Sequence, residues 1–160
     1  MVENVVGNKM VVGFMFAGGA SSVLLVCKLR PDWQRGLWNG VGGVMERDET
    51  PVQAMMREFQ EETNYETTAE DWRHFATEVG PFGSYAYFFS STLKSHHRSS
   101  WPSHNDAGEK LMWRGVNDVV CSSMVLGNLH WLVPLALDPR GFRVPVLIEP
   151  SGYIRERASW

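Results

Sequence analysis

The chain has 160 residues, of which 44% are hydrophobic and 21% charged, and its formal net charge is −3. This length suits one domain with a substantial core, and the composition is ordinary for a folded protein. The mildly acidic balance argues against a nucleic acid polymer as partner, since proteins that bind such polymers show strongly basic surfaces. We expect a single domain over residues 1–160.

The N-terminal apolar run predicts two strands rather than an export signal. Residues 10–26 are rich in Val and Leu, but a turn of small residues at 18–22 interrupts them and the acidic Glu3 precedes them. Strands over 9–16 and 22–29 explain this pattern better than a leader does. No stretch is long and continuous enough to span a bilayer. We therefore expect a cytoplasmic protein without a membrane partner.

The two cysteines, Cys27 and Cys121, are too few for a disulfide framework. They also match no zinc-binding spacing. We therefore predict two free thiols in a reducing compartment.

A short predicted strand at 37–39 leads through a glycine-rich segment to a helix. Between residues 50 and 63, apolar residues recur at positions i, i+3, i+4 and i+7, which predicts a helix with one face in the core. These residues are Val52, Met55, Met56 and Phe59. Thr50 is the expected N-cap, with Pro51 at the first helical position and Gln53 completing a capping box.

The second half of the chain predicts a hairpin, a polar loop and two helices. Strands are expected over 71–79, 84–93, 110–115 and 142–148, and the polar loop over 94–108. A short helix or turn is expected at 117–120 and an amphipathic helix at 126–137. Strands dominate and helices occupy a few fixed places, so the predicted fold class is α+β.

Three acidic residues share one face of the first helix. Glu58, Glu61 and Glu62 lie at i, i+3 and i+4, about a third of a turn from the apolar face. Like charges at this spacing destabilise a helix by a few tenths of a kcal/mol per pair. Mg²⁺, which prefers carboxylate oxygens, would offset that cost. On its own, such a face is also typical of a solvated acidic surface.

Residues 43–65 resemble the signature of the Nudix hydrolase family, G-x5-E-x7-R-E-U-x-E-E-x-G-U. The matching residues are Gly43, Glu49, Arg57, Glu58, Phe59, Glu61 and Glu62, with Tyr65 at the final bulky apolar position. The second glycine of the signature is replaced by Asn64. We expect this residue to end the helix in a left-handed conformation, which Asn tolerates best after glycine.

The resemblance implies a Nudix-type α/β/α sandwich with a central mixed sheet. It also implies a Mg²⁺-dependent pyrophosphohydrolase, with Mn²⁺ as a substitute, that acts on a small nucleotide. Glu58 and Glu62 would be the principal metal ligands, and Glu61 a further ligand or the base for the attacking water. The backbone carbonyl of Gly42 would be an additional ligand.

Two more charged residues join the predicted catalytic set. By resemblance, Arg57 pairs with Glu49 and holds the preceding loop against the helix. Many family members place a second base a few residues before a Trp in a later strand, and Glu109 precedes Trp113 here. Glu109 is equally consistent with an ordinary loop charge. Asp106 and His104 are weaker contenders for this role.

The segment Trp38–Gly43 reads W-N-G-V-G-G and resembles that of Nudix enzymes that hydrolyse oxidised purine nucleoside triphosphates. In those enzymes the Asn helps to hold the base, which assigns this role to Asn39. We also expect Lys28 to contact the substrate and Trp101 to stack on the base. The two acidic residues that read the base in the best-known members would fall near Gly127 and Asn128, and they are missing.

The predicted function is therefore hydrolysis of a nucleoside triphosphate, including oxidised or non-standard forms, to nucleoside monophosphate and pyrophosphate. One alternative is an ADP-ribose or nucleoside-diphosphate-sugar pyrophosphatase, because Pro81 falls where that subfamily has a proline; Pro81 also suits a simple turn. A non-catalytic Nudix-fold nucleotide-binding protein should have lost some of the three glutamates. Edge strands can pair with those of a second copy of the chain, so a homo-oligomer stays an alternative.

Overall fold

One mixed sheet organises the chain. The structure, a computed structural model, describes residues 7–80, 83–94, 101–140 and 144–149. Within these residues the strands are β1 (Lys9–Ala17), β2 (Ser22–Cys27), β3 (Trp38–Asn39), β4 (Arg73–Val79), β5 (Tyr85–Thr92), β6 (Lys110–Gly115) and β7 (Val146–Ile148). The helices are α1 (Pro51–Thr63), α2 (Val116–Cys121) and α3 (Leu129–Leu137). The strand order is β3-β2-β1-β5-β4-β7, and β6 also pairs with β2.

Strand β1 lies at the centre of the sheet and is buried on both faces from Val11 to Ala17. Its near-continuous apolar sequence is typical of a strand that is covered on both sides. It pairs in parallel with β5 along its whole length, from Lys9 opposite Tyr85 to Phe16 opposite Thr92. The predicted hairpin of β4 and β5 is antiparallel, as expected.

Two hydrophobic cores lie on opposite faces of this sheet. Val12 and Phe14 of β1 pack in the cluster that contains Leu132 of α3. Val11 of β1 packs in the other cluster, with Met55 of α1. Alternate residues of a strand point to opposite faces, so a single strand serves both cores. The α/β/α sandwich with a mixed sheet is therefore confirmed.

Helix α1 begins and ends as its sequence predicts. Gln53 N–H donates to Thr50 Oγ1 at 3.4 Å and Thr50 N–H donates to Gln53 Oε1 at 2.9 Å, which is the capping box. Asn64 ends the helix with φ 56° and ψ 22°, a left-handed conformation, and its N–H donates to Gln60 O. Met55 is fully buried on the core face. The orientation of the acidic face follows from this anchoring.

A glycine-rich segment fills a gap beside β1. The pairing of β1 with β2 is confined to the turn end, at Phe16 and Ala17. Further along β1, Gly13 N–H donates to Val41 O at 2.7 Å, and Val11 N–H donates to Gly43 O at 2.9 Å. The segment between β3 and α1 is thereby fixed on the central strand.

Three predicted boundaries were wrong by a few residues. Strand β2 ends at Cys27 rather than at 29, because Leu29 N–H donates to a side chain, Glu109 Oε1, instead of a neighbouring strand. Strand β4 begins after a 3-10 turn at Ala69–Asp71 that Thr68 caps. Helix α3 begins at Leu129, since Leu126 N–H is engaged with Trp38 O.

The remaining predictions concern the last strand, the two cysteines and membrane spans. The last strand is described only for Val146–Ile148, since residues 141–143 lie outside the described ranges. Cys27 and Cys121 are free thiols, as predicted. Among the helices of the described ranges, none is long and apolar enough to cross a membrane.

Candidate active site

Two glutamates of α1 lie against the glycine-rich segment. The Glu62 side chain is 12% exposed, and its Oε2 accepts a hydrogen bond from Gly42 N–H at 3.3 Å. Lys28 Nζ lies 3.8 Å from Glu62 Oε1. Burial raises the pKa of Glu62 to about 7, with Lys28 opposing the rise and the nearby Glu109 and Glu58 carboxylates adding to it. The ionised form of Glu62 is therefore disfavoured, and a further positive charge nearby would stabilise it.

Glu58 occupies the neighbouring position on the helix, next to Gly43. A Cβ atom on Gly43 would lie only 2.5 Å from Glu58 Oε2, so a side chain at position 43 would displace this carboxylate. Arg57 Nη1 donates to Glu58 Oε1 at 2.8 Å. Burial nevertheless raises the pKa of Glu58 above its ordinary value, against the effect of this hydrogen bond.

Gly42 is more strictly restricted than Gly43. A Cβ atom there would overlap the carbonyl oxygen of Val11, and the φ of 153° is one that other residues rarely adopt. The backbone next to Glu62 is thus set by two glycines that pack against the central strand and the acidic helix.

Glu61 differs from its two neighbours. Its side chain is 60% exposed, and its Oε2 accepts from Arg57 Nη1 at 3.3 Å. Within the described ranges, no group of three or more His, Cys, Asp or Glu side chains is placed closely enough to hold a metal ion as it stands. The structure brings Glu58 and Glu62 together beside Gly42 and Gly43, and it leaves Glu61 at the solvent edge.

This donor set fits a divalent cation. Two largely buried carboxylates whose charged form is disfavoured lie beside a backbone that glycine keeps accessible. Hard cations such as Mg²⁺ take oxygen ligands of this kind. A bound cation would offset the desolvation that raises both pKa values. The predicted ligands Glu58, Glu62 and Gly42 are therefore compatible with the predicted metal.

Arg57 joins the loop to the helix. Its Nε and Nη2 donate to the two carboxylate oxygens of Glu49 at 2.7 and 2.9 Å, and Nη2 also donates to Val44 O. The hydrogen bond from Arg57 lowers the pKa of Glu49 and keeps it ionised. Such a two-pronged contact fixes geometry as well as charge. The predicted pairing of Arg57 with Glu49 is confirmed.

Glu109 lies beside Lys28 and near Glu62, and its carboxylate accepts hydrogen bonds from three donors. It accepts from Lys28 Nζ at 2.9 Å, from Leu29 N–H at 2.9 Å and from Asn105 Nδ2 at 3.2 Å. Burial raises the pKa of Glu109, but these hydrogen bonds outweigh burial and the pKa lies below its ordinary range. The contacts hold Lys28 beside Glu62. The role of Glu109 as a second base stays a prediction.

A cleft of about 500 Å³ extends from this acidic site. Lys28, Asn39, Gly42 and Gly43 lie along its wall, so the cleft reaches from the glycines next to Glu58 and Glu62 to the predicted base-binding residue. Asn39 Oδ1 accepts from Gly40 N–H at 2.8 Å, which fixes the orientation of the amide. The Asn39 side chain therefore presents N–H donors.

Trp101 lies away from this cleft, although it was expected to stack on the base. Its ring stacks on Tyr65 with centroids 4.8 Å apart and meets the edges of Phe59 and Trp113. It belongs to the core on the α1 face and does not line the cleft with Asn39. His104 Nδ1 is hydrogen-bonded to Ser103 Oγ. Pro81, on which the ADP-ribose alternative depends, lies outside the described residues.

Sequence reasoning missed two residues of this region, Asn105 and Glu78. Asn105 and Glu109 clasp each other, since Glu109 N–H donates to Asn105 Oδ1 at 2.8 Å while Asn105 Nδ2 donates back. The Asn-Asp-Ala-Gly sequence at 105–108 is a turn signal that indicates such a clasp. Glu78 of β4 also lines the cleft. No local pattern indicates that, because its position depends on how β4 packs beside α3.

Comparisons with known proteins agree with this geometry. A model described as "NUDIX domain" matches residues 8–131. No curated protein matches the chain. The MutT protein from Bacillus halodurans is similar in structure, with a TM-score of 0.62 and 20% identity over 89% of this chain and 86% of that one.

Two other solved structures are similar. The NUDIX domain of NrtR from Shewanella oneidensis, complexed with ADP ribose, has a TM-score of 0.65 and 18% identity over 82% of this chain and 86% of that one. A bifunctional NMN adenylyltransferase/ADP ribose pyrophosphatase from Francisella tularensis, complexed with AMP and a manganese ion, has a TM-score of 0.66 and 22% identity. The match covers 84% of this chain and 42% of that one. At these identities the likenesses show a shared fold.

Proposed function

The chain belongs to the NUDIX domain family, and we propose that it is a pyrophosphohydrolase that cleaves nucleoside triphosphates to nucleoside monophosphate and pyrophosphate. One observation carries the proposal. The cleft that Asn39 lines also reaches Gly42, which contacts Glu62, and Gly43, which contacts Glu58. A triphosphate that extends from a base at Asn39 would place its phosphates beside these carboxylates.

Glu58 and Glu62, with the carbonyl of Gly42, would hold Mg²⁺, and Mn²⁺ would substitute for it. When bound, the ion supplies charge neutralisation at the phosphate oxygens and a lowered pKa for a coordinated water. Arg57 keeps Glu58 in place through its contacts with Glu49 and Val44.

Other residues of the chain bind the phosphates and accept the proton of the attacking water. The Lys28 ammonium, held by Glu109, contacts the negative phosphates. Glu61, the exposed carboxylate, accepts the proton of the attacking water. The water oxygen bonds to phosphorus while the bond from phosphorus to the bridging oxygen between the α and β phosphates breaks. The electron pair of that bond stays with the departing group.

The substrate class rests on the segment Trp38–Gly43 and on the position of Asn39 in the cleft. An ADP-ribose pyrophosphatase is the second candidate, since two of the similar structures are described by ADP ribose or its hydrolysis. The same acidic site would serve either substrate, because both contain a diphosphate bridge. The residues at the base end of the cleft distinguish them.

A substrate panel tests the proposal. The purified protein is incubated with dNTPs, oxidised dNTPs, ADP-ribose and dinucleoside polyphosphates, with and without Mg²⁺ or Mn²⁺. Release of nucleotide products is measured by chromatography, because ADP-ribose is hydrolysed to AMP and ribose 5-phosphate and yields no pyrophosphate. We expect metal-dependent release from one or more triphosphates above that from ADP-ribose. A preference for ADP-ribose would establish the second candidate. Turnover of no diphosphate with either metal would indicate a nucleotide-binding protein instead.

A further inference from the structure

A turn at residues 105–108 carries Glu109 from the surface to the active site. Gly108 N–H donates to Asn105 O at 2.9 Å, and Gly108 has a φ of 79°, which favours glycine. Asn105 N–H donates to Glu109 O at 3.0 Å and closes the turn. The tip of the turn is exposed, whereas Glu109 is only 6% exposed. One short turn therefore joins an exposed tip to a buried carboxylate.

The Asn105 side chain makes two hydrogen bonds with Glu109, and they act on different groups. Asn105 Oδ1 accepts from the backbone N–H of Glu109 at 2.8 Å, which stabilises the turn. Asn105 Nδ2 donates to the carboxylate oxygen Oε2 of Glu109 at 3.2 Å, which fixes the side chain. An aspartate would make the first bond but not the second, because its ionised side chain has no N–H group.

The same Glu109 oxygen binds the Lys28 ammonium. Lys28 Nζ donates to Glu109 Oε2 at 2.9 Å, while Leu29 N–H donates to the other oxygen, Oε1, at 2.9 Å. Burial raises the pKa of Glu109, but these hydrogen bonds and that from Asn105 keep the pKa below its ordinary range. An ionised carboxylate with donors on both oxygens is held in one orientation. The ammonium that it binds is thereby held as well.

A second carboxylate competes for the Lys28 ammonium. Lys28 Nζ lies 3.8 Å from Glu62 Oε1, against 2.9 Å from Glu109 Oε2. The four-carbon stem of lysine is flexible and does not by itself fix the charge at its end. If Glu109 were free to rotate, the ammonium would shift towards Glu62. The position of the positive charge in the cleft therefore depends on a fixed Glu109.

Asn105 and Glu109 lie outside the lining of the cleft. Lys28 is among the described residues that line it, and the other two are not. In this arrangement Asn105 acts on a ligand through Glu109 and Lys28. We propose that Asn105 is a positioning residue whose amide donor, through Glu109, holds the Lys28 ammonium where it contacts the substrate phosphates. This inference rests on the proposed function, which assigns that contact to Lys28.

Two substitutions at position 105 separate this role from a role in the turn alone. Asn105→Asp keeps the acceptor for Glu109 N–H, and Asn105→Ala adds no charge; both lose the amide donor to the carboxylate. For the substrate that the panel shows to be turned over fastest, both should raise KM about five- to tenfold and leave kcat within about twofold, because a phosphate contact made before and during the reaction is weakened. Asn117→Asp, the same change at an exposed residue of α2, is the control and should leave KM unchanged.

The KM of Asn105→Asp decides between the two roles. If Asn105 served the turn alone, Asn105→Asp would have the KM of the wild type. Asn105→Ala would then lower the melting temperature and the fraction of active protein without a change in KM. Either result would overturn the positioning role.

A double-mutant cycle with Lys28→Met tests the path from Asn105 to the cleft. In the Lys28→Met background, Asn105→Asp should change KM by less than about twofold, because the group on which it acts is gone. A rise in KM as large as that in the wild-type background would show that Asn105 does not act through Lys28, and the proposal would be wrong.

A spectroscopic signal of Lys28 separates this inference from the proposed function. Ammonium groups held by hydrogen bonds exchange slowly enough to give ¹H–¹⁵N cross peaks at low temperature, and Lys28→Met identifies that of Lys28. The wild type and Asn117→Asp should show this cross peak, and Asn105→Asp should lose or shift it. If this is observed but no diphosphate is hydrolysed, the proposed function fails and the positioning role stands. If diphosphates are hydrolysed but the cross peak is absent from the wild type, or unchanged in Asn105→Asp, the positioning role fails.

Discussion

The two ends of the cleft are built in different ways. The acidic end is local, since Gly42, Gly43, Glu58 and Glu62 come from one loop and the helix that follows it. The base end is assembled from β3, β4 and the start of α3, which are distant in sequence. A diphosphate bridge is the same in every candidate substrate, whereas the base differs. We therefore predict that the local end supports the reaction and that the assembled end selects its substrate.

The largest expected effect is at the acidic end. Glu62→Gln should lower turnover about a thousandfold, or about 4 kcal/mol of transition-state stabilisation, because a charged ligand is lost. The loss should be similar for all substrates, since this end does not contact the base. Circular dichroism should show an unchanged fold. Glu66→Gln, an exposed acid past the end of α1, is the control. If the loss of turnover differed between substrates, the acidic end would also contribute to substrate selection, which would contradict the division of roles between the two ends.

A pH dependence should follow from the buried carboxylate. The pKa of Glu62 is about 7 in the folded protein, against an ordinary value of 4.5. Between these values the unfolded chain releases a proton that the folded chain keeps, so stability falls as pH rises. At 1.36 kcal/mol per pKa unit, the metal-free protein should lose about 3 kcal/mol between pH 4.5 and pH 7.

Urea unfolding at a series of pH values, with a chelator present, measures this loss. Mg²⁺ should restore stability above pH 7, where Glu62 is ionised and able to bind it. Glu62→Gln should show a flatter profile than the wild type. An identical profile in both proteins would remove Glu62 as its cause.

The base end should respond selectively. Asn39→Ala removes the N–H donors at the cleft wall and should lower the specificity constant for triphosphates about tenfold, or about 1.4 kcal/mol. The effect on ADP-ribose should be smaller, and both are measured under the conditions of the substrate panel. Equal losses on both substrates would count against a role for Asn39 in holding the base.

The smallest effect is expected where the signature departs from glycine. Asn64 adopts φ 56° and ψ 22° at the end of α1, a conformation that glycine reaches without strain. Asn64→Gly should be neutral or stabilise the protein by up to about 0.5 kcal/mol, with turnover unchanged. Thermal unfolding measures the first and the triphosphate assay the second. Strong destabilisation would mean that the Asn side chain has a role of its own.

Features that depend on neighbours in sequence were predictable. The capping box at Thr50, the core face with Met55 and Phe59, and the left-handed Asn64 each follow from a few consecutive residues. The pairing of Arg57 with Glu49 follows from the signature. Each is a contact between groups that the chain already holds within one or two turns of each other.

Other features were not predictable because they join distant segments. Glu109 holds Lys28, which lies 81 residues earlier. Trp101 stacks on Tyr65 rather than at the cleft, because packing in the core on the α1 face fixes its ring. A periodicity shows which face of an element is apolar, but it does not show which side chain of another element that face will meet.

The sequence by itself determined the acidic helix, its ends and the family to which the chain belongs, because these depend on spacing within one short segment. Tertiary structure decided that β1 runs parallel to β5, that Glu109 positions Lys28, and that Glu78 and Asn128 share one cleft. Those juxtapositions arise when two cores form on opposite faces of one sheet and bring remote residues into contact.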